Sequence, residues 1–329
     1  MSNAPSLYPK RHALPLVGRR VYIGDVQLAF FRLRFHFKAV EPLWFPSAGA
    51  ANTLRGAFGY ALRQVACTCG PVAHTHDCVY ARIFEPRAPS RPGPSGFAEW
   101  PRPFVLRTRH LDGLVIFPRK PFSFDVHLFD LRNPALACFV QAFALIARHG
   151  MGPLRRKATL ISVAQLDAAG RVVAQVWDGN RCTALLEPAS VPLAENGPAD
   201  SLAIRFLTPT ELKCQGGLAA QPDFPVLFAR IRDRISTLRA LYGPGPLDID
   251  FQALGNRAEK IEMTRCQVET AYVERRSSRT GQVHPLGGFT GEAEYRGTLG
   301  EFLPYLRAAR WTGVGRQTVW GKGEIALLS

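Results

Sequence analysis

The chain is short of lysine, of acidic residues and of long apolar runs, and each shortage narrows the reading. Its most apolar stretch, Ala137–Ala147, is interrupted by Gln141 and is too short to span a bilayer. The first twenty residues hold no continuous apolar core, so no secretory leader and no membrane partner are expected. Cysteine is sparse as well. There are seven, an odd number, and Cys138, Cys182, Cys214 and Cys266 are scattered. That excludes a disulfide framework and leads us to expect a reducing cytoplasm. Acidic residues number 26 against 41 basic ones, a formal charge of +15. Lysine supplies only 7 of those 41, and arginine the rest. A GC-rich genome would explain the preference for arginine but not the net excess. Such an excess points to a nucleic acid or another anionic surface, and arginine both grips phosphate bidentately and stacks on bases. With 47% hydrophobic and 20% charged residues, the composition is that of a globular protein. A length of 329 residues suggests two domains.

Periodicity gives the organisation. The first 26 residues read as a basic arm or edge segment. Within Leu28–Ala39, Phe31, Leu33, Phe35 and Phe37 alternate with Arg32, Arg34 and His36, which predicts a half-buried strand with a basic open face. Gly49–Ala66 has helical spacing through Leu54, Phe58, Leu62 and Val65. A Cys-, His- and Pro-rich stretch at about 67–103 reads as an inserted loop. Strands are expected over Phe104–Arg109 and Phe122–Leu131, a helix over Pro134–Arg148, and a hairpin over Lys157–Leu166 and Arg171–Trp177. After a Pro/Ala-rich linker at 186–200, the order repeats. It runs strand (Leu202–Leu207), helix (Pro222–Tyr242), strands (Lys260–Tyr272, Phe289–Arg296), helix (Leu299–Ala309) and strand (Thr318–Leu327). Each half therefore has the element order of a ferredoxin-like unit. The expectation is an α+β protein with tandem ferredoxin-like domains, 1–185 and 201–329. The repeat rests on element order, because the halves share negligible sequence identity.

The strongest local signal is the glycine-rich loop at 312–323. Gly313-Val314-Gly315 is followed after five residues by Gly321-Lys322-Gly323. A P-loop would need four residues between its glycines, a preceding strand and a Ser or Thr after the lysine. A Rossmann fingerprint would need a βαβ unit after the loop, and too little chain follows. What remains is a helix, a basic glycine loop and a last strand. Glycines let a phosphate chain approach the backbone, with Arg307, Arg310, Arg316 and Lys322 adding charge.

At this point the chain resembles the CRISPR repeat-processing endoribonucleases of the RAMP superfamily. The Gly-x-Gly-x5-Gly-x-Gly pattern is their signature loop. Leu54-Arg55-Gly56-Ala57-Phe58-Gly59-Tyr60, Cys78-Val79-Tyr80-Ala81-Arg82-Ile83-Phe84-Glu85-Pro86, His149–Arg156 and Leu207–Lys213 match one branch in order. The resemblance implies tandem ferredoxin-like domains and cleavage of the repeat hairpin of precursor CRISPR RNA without a catalytic metal. The 2′-hydroxyl beside the scissile phosphate attacks, leaving a 2′,3′-cyclic phosphate and a 5′-hydroxyl, and the mature crRNA is retained. The alternative is a non-cutting RAMP subunit that binds the hairpin in an effector complex. Other subunits of such a complex are candidate partners on either reading.

The resemblance also places the active site on or just after the first helix, where proton transfer and charge stabilisation are needed. No histidine lies on that helix. Tyr60 does, and His76 and Arg82 follow, with His74 and His36 as further candidates and a His-free site of Arg and Tyr as another. The same segment offers a competing reading. Cys67, Cys69, His74 and Cys78 are close enough in sequence to hold structural zinc, although Cys-x-Cys is not the usual spacing. Ordinary loop residues are the other reading, and if His76 bound the ion it would not be the base. Arg32, Arg34 and Arg55, the cluster Arg155, Arg156 and Lys157, and Arg275, Arg276 and Arg279 are candidates for RNA phosphates. Trp311 and Trp320 read equally as base-stacking or core residues.

Overall fold

The structure, a computed structural model, describes residues 26–69, 74–75, 77–86, 100–194, 197–214, 216–271, 274–276, 283–285 and 287–328. The N-terminal arm (1–25), His76 and Arg279 lie outside the described residues. The first half contains β1 (Gln27–Ala39), β2 (Leu43–Trp44), α1 (Ala50–Ala66), α2 (Val79–Phe84), β3 (Phe104–Arg107), β4 (Val115–Ile116), β5 (Pro121–Leu128), α3 (Leu136–His149), β6 (Ala158–Leu166), β7 (Val172–Trp177) and β8 (Ala189–Pro192). The second contains β9 (Ser201–Thr210), β10 (Lys213–Cys214), β11 (Gly217–Leu218), α4 (Phe224–Tyr242), α5 (Phe251–Ala258), β12 (Glu262–Ala271), β13 (Glu274–Arg276), β14 (Val283–Pro285), β15 (Gly288–Arg296), α6 (Leu303–Thr312) and β16 (Ile325–Leu328).

In the first half the strand order is β3-β5-β1-β6-β7, all antiparallel. Without the β7 edge, that is the ferredoxin-like order. The alternation in β1 does what the period-two pattern predicts. Leu33, Phe35 and Phe37 are buried against α1 and α3, whose Leu54, Phe58, Leu62, Phe139 and Phe143 complete the core. Phe35 lies 4.8 Å from Phe143 by ring centroids, and Phe58 lies 4.9 Å from both Phe139 and Phe143. The second sheet runs β12-β15-β9-β16, again the ferredoxin-like order, with α4 and α6 on one face. Phe224, Phe228, Phe302 and Tyr305 interlock there edge to face.

Departures from the sequence reading include four elements. The insertion is not all loop, because it carries the six-residue helix α2. The segment read as a linker contains β8, which pairs with the start of β1 from Gln27↔Pro192 to Phe30↔Ala189. α5 forms where no helix was expected; Asp250 caps it by accepting from Ala253 N at 2.9 Å. The last strand begins at Ile325, and Thr318–Trp320 form a 3-10 turn instead. The halves also share packing: Leu28, Phe30, Val105 and Phe129 from the first half join the core of the second.

Candidate functional site

The glycine-rich loop lies where the two halves meet. Its Gly313, Gly315, Gly321 and Gly323 have φ of +70°, +76°, +81° and +70°, a region that disfavours side chains. A Cβ on Gly323 would stand 1.9 Å from Val314 O, and one on Gly321 would stand 2.5 Å from Ala51 Cβ of α1. At both positions the protein's own atoms fill the space a side chain would need. The first approach closes the loop on itself, and the second lays it on the first helix of the other half.

Glu211, just after β9, anchors the loop. Its carboxylate accepts from Arg316 Nη1 at 2.5 Å and from Lys322 Nζ at 3.1 Å. Lys322 also donates to Gln317 Oε1 at 3.0 Å. Lys322 was expected among the groups that meet RNA, but it is only 3% exposed, so its charge is engaged inside the loop. Burial pushes its ammonium below the ordinary value. Arg307, Arg310 and Arg316 of the same region are exposed.

Upstream of the loop, the C-terminal carbonyls of α6 are met by three side chains from other elements. Arg107 of β3 donates to Arg310 O at 2.5 Å, His127 of β5 bonds Trp311 O at 3.1 Å, and Arg234 of α4 donates to Thr312 O at 3.0 Å. These satisfy acceptors that a helix end leaves open. Burial, reinforced by the charge of Arg107, pushes the His127 imidazole down to about 3, so it donates as the neutral ring. Trp311 packs against Phe30 and His127, with centroids at 4.9 and 5.1 Å, and is therefore a packing residue.

Of the residues expected to do chemistry, the α1–α2 corner holds Tyr60, His74 and Arg82. Tyr60 is 69% exposed. Arg63, one turn further along α1, is exposed on the same side. Arg82 of α2 forms an ion pair with Asp130 and donates to Asn133 O at 2.9 Å. It is thus tied to the segment after β5. Arg55 stands between two rings, 4.3 Å from the Phe84 centroid and 5.2 Å from that of Trp320. This stack links α1, α2 and the glycine loop. His74 sits among sulfurs, its Nδ1 3.4 Å from Cys67 Sγ and 3.5 Å from Cys78 Sγ. Thr75 hydroxyl and amide groups bond Cys69 Sγ and pull that thiol down to about 6.

The remaining candidates are elsewhere. Arg32, Arg34 and His36 lie on the face of the first sheet opposite α1, so a sheet's thickness separates His36 from Tyr60. Asp125 of β5 takes Arg32 at 2.9 Å and Arg34 at 2.7 Å. Burial favours its neutral acid, but the two guanidiniums outweigh that and hold it below the usual carboxylate range. Burial and the Arg34 charge lower the His36 imidazole. Arg155, Arg156 and Lys157 are exposed at another corner, where Lys157 O accepts from Val40 N at 3.0 Å. Arg119 and Lys120 join them: Arg119 N donates to Ala39 O at 2.7 Å, and Ala39 N donates to Lys120 O at 3.0 Å. Exposed Trp44 is on β2, and exposed Phe117 directly follows its partner strand β4. Arg275 and Arg276 are on β13.

Glu211, Asp125, Arg107, His127 and Arg63 were missed. No local pattern marks the first four, since each is defined by a partner far along the chain. Arg63 could have been found from its spacing to Tyr60.

The sequence model of an N-terminal domain termed AF_1859_N matches residues 28–189, and that of the CRISPR-associated endoribonuclease Cas6 matches residues 204–325. No curated protein matches. Among solved structures, a product complex of Cas6 from Thermus thermophilus is 19% identical, with a TM-score of 0.54 over 92% of this chain and 100% of that one. The same Cas6 described without product is 18% identical, with a TM-score of 0.50 over 93% of this chain and 100% of that one. A partial Cas6-RT-Cas1–Cas2 complex is 13% identical, with a TM-score of 0.55 over 91% of this chain and 46% of that one. These structures share the tandem ferredoxin-like fold described above. Residues 204–325 thus match the CRISPR-associated endoribonuclease Cas6 in sequence, and both halves share the fold of the Cas6 structures.

Proposed function

We propose that this chain binds the repeat hairpin of precursor CRISPR RNA, cuts one phosphodiester by attack of the neighbouring 2′-hydroxyl, and keeps the mature crRNA. The observation that carries the reading is the junction of the glycine loop with α1. The loop packs on Ala51, Arg55 is stacked between Phe84 and Trp320, and exposed Arg310 and Arg316 flank it. A phosphate chain crossing that junction would meet two arginines and then the exposed face of α1. Cleavage leaves a 2′,3′-cyclic phosphate and a 5′-hydroxyl and needs no catalytic metal, because side chains supply proton transfer and charge stabilisation.

Tyr60 places the reacting groups, and Arg63 stabilises the charge that develops on the phosphorane. The proton falls to His76, in the connection that follows α1. Arg82 was expected at the phosphate. Its tie to Asp130 and Asn133 supports a different part, that of holding α2 in place. The corner with Arg155, Arg156, Lys157, Arg119 and Lys120, beside Trp44 and Phe117, is the companion surface for the rest of the RNA.

The test is single-turnover cutting of repeat RNA by variants. Tyr60→Phe and His76→Ala should each slow cleavage by roughly 10²–10⁴-fold while affinity changes little. Cutting at the wild-type rate by His76→Ala would remove His76 and leave a site of Tyr and Arg. Normal cutting by both variants would overturn the placement on α1.

A further inference from the structure

Four side chains that the RNA-cutting reading does not use converge at the α1–α2 connection. Cys67 caps the end of α1, Cys69 follows it, and His74 and Cys78 come just before α2. Their three sulfurs and one imidazole nitrogen all lie within 4.8 Å of one another. Bonds of about 2.3 Å to sulfur and 2.0–2.1 Å to nitrogen in a tetrahedral zinc site place S···N edges near ~3.5 Å. The observed Nδ1···Sγ separations are 3.4 and 3.5 Å. Cys78 is buried and the other three ligands are partly buried.

The surroundings suit a bound cation as well. His74 presents Nε2 to Glu85 Oε2 at 4.0 Å, the side on which ligating histidines usually find a carboxylate. Thr75 N donates to Cys69 Sγ at 3.3 Å, as an amide does to a thiolate.

The geometry points to a structural zinc ion held by the thiolates of Cys67, Cys69 and Cys78 and by Nδ1 of His74. It staples the end of α1 to the start of α2. Four protein ligands close the coordination sphere, so the ion has no open position for substrate. The staple also answers a problem of stability. A helix of six residues does not hold itself together, yet α2 must present Phe84 to Arg55 beside the glycine loop. As a ligand, His74 is withdrawn from proton transfer.

The test uses the full chain purified without chelator. Elemental analysis should find about one zinc per chain. Cobalt-exchanged protein should show thiolate-to-cobalt charge transfer and tetrahedral d–d bands. Cys69→Ser and His74→Ala should lose zinc and melt several degrees lower. If either variant fails to fold, the wild-type zinc content and cobalt spectrum still decide. Folded wild type without zinc and without a cobalt spectrum, or Cys69→Ser that keeps zinc like wild type, would overturn the staple. The inference stands apart from the cutting reaction. A zinc-free protein that cuts repeat RNA sinks the staple alone, and a zinc-bearing protein that does not cut sinks the nuclease reading alone.

Discussion

Replacing Glu211 by Gln removes one charge from a nearly closed group of ions. Glu211 and Lys322 have side-chain exposures of 5% and 4%, and Nζ lies 3.1 Å from Oε2. Removing one partner of such a buried pair costs about 3–5 kcal/mol, because the other charge stays buried. Arg316 adds little to that figure, since its side chain is 48% exposed. Gln317 still accepts one proton from Lys322, so the low end, about 3 kcal/mol, applies. At roughly 2–4 °C per kcal/mol, Glu211→Gln should melt about 6–12 °C below wild type. The deficit should also depend on pH. Lys322 already sits below its ordinary 10.5 in the folded chain, and losing Glu211 lowers it further. As pH rises towards 10.5, the folded variant sheds the unpaired proton that the unfolded chain keeps. Stability is therefore regained with rising pH. Adding Lys322→Met removes the orphan charge and should restore most of the loss. The assay is thermal unfolding at several pH values. A Glu211→Gln protein that melts within a degree of wild type, or a double variant whose deficit is the sum of both singles, would refute the reasoning.

Two further outcomes follow from the same geometry. His127 holds its proton only below about 3 when folded, against 6.5 ordinarily. Between those values the unfolded chain takes up a proton that the folded one refuses. Stability, complete above pH 6.5, should thus fall by about 1.4 kcal/mol per unit as pH drops. Urea midpoints from pH 7 to pH 4 should show a flatter acid limb in His127→Gln; an unchanged limb would mean that His127 is not the group responsible. Replacing Arg155, Arg156 and Lys157 together by Ala should leave folding intact, since all three are exposed. The slope of log K for repeat RNA against log salt should become shallower by about 0.7–0.9 for each phosphate that these side chains neutralise in the wild type. An identical slope would take this corner out of the RNA surface.

The parts legible in the sequence were those written in local spacing. Phe31 to Phe37 alternate and form β1; Leu54, Phe58 and Leu62 recur helically and form α1. Turn chemistry hid the start of the last strand. Thr318, Val319 and Trp320 look strand-like, but Gln317 and Gly321 on either side are left-handed and fold them into a 3-10 turn. The helix α2 is too short to carry a period of its own. The site was harder to read, because charge in a sequence does not say which way it points. Lys322 reads as a phosphate ligand until Glu211, 111 residues earlier, is found beneath it. Arg34 reads as an open basic face until Asp125, 91 residues later, takes it. The cysteine and histidine cluster could be read in the sequence either as zinc ligands or as ordinary loop residues, and what the fold adds is the convergence of the four side chains.

The central claim is that this chain cuts repeat RNA with the substrate's own 2′-hydroxyl. The direct measurement is single-turnover cleavage, in buffer without added divalent ions, of two repeat hairpins that differ only in a 2′-deoxy sugar at the cut. The account predicts a 2′,3′-cyclic phosphate and a 5′-hydroxyl from the all-ribose hairpin. The deoxy hairpin should bind equally tightly and stay whole. Equal cutting of both, or an all-ribose hairpin that is bound but never cut, would contradict it.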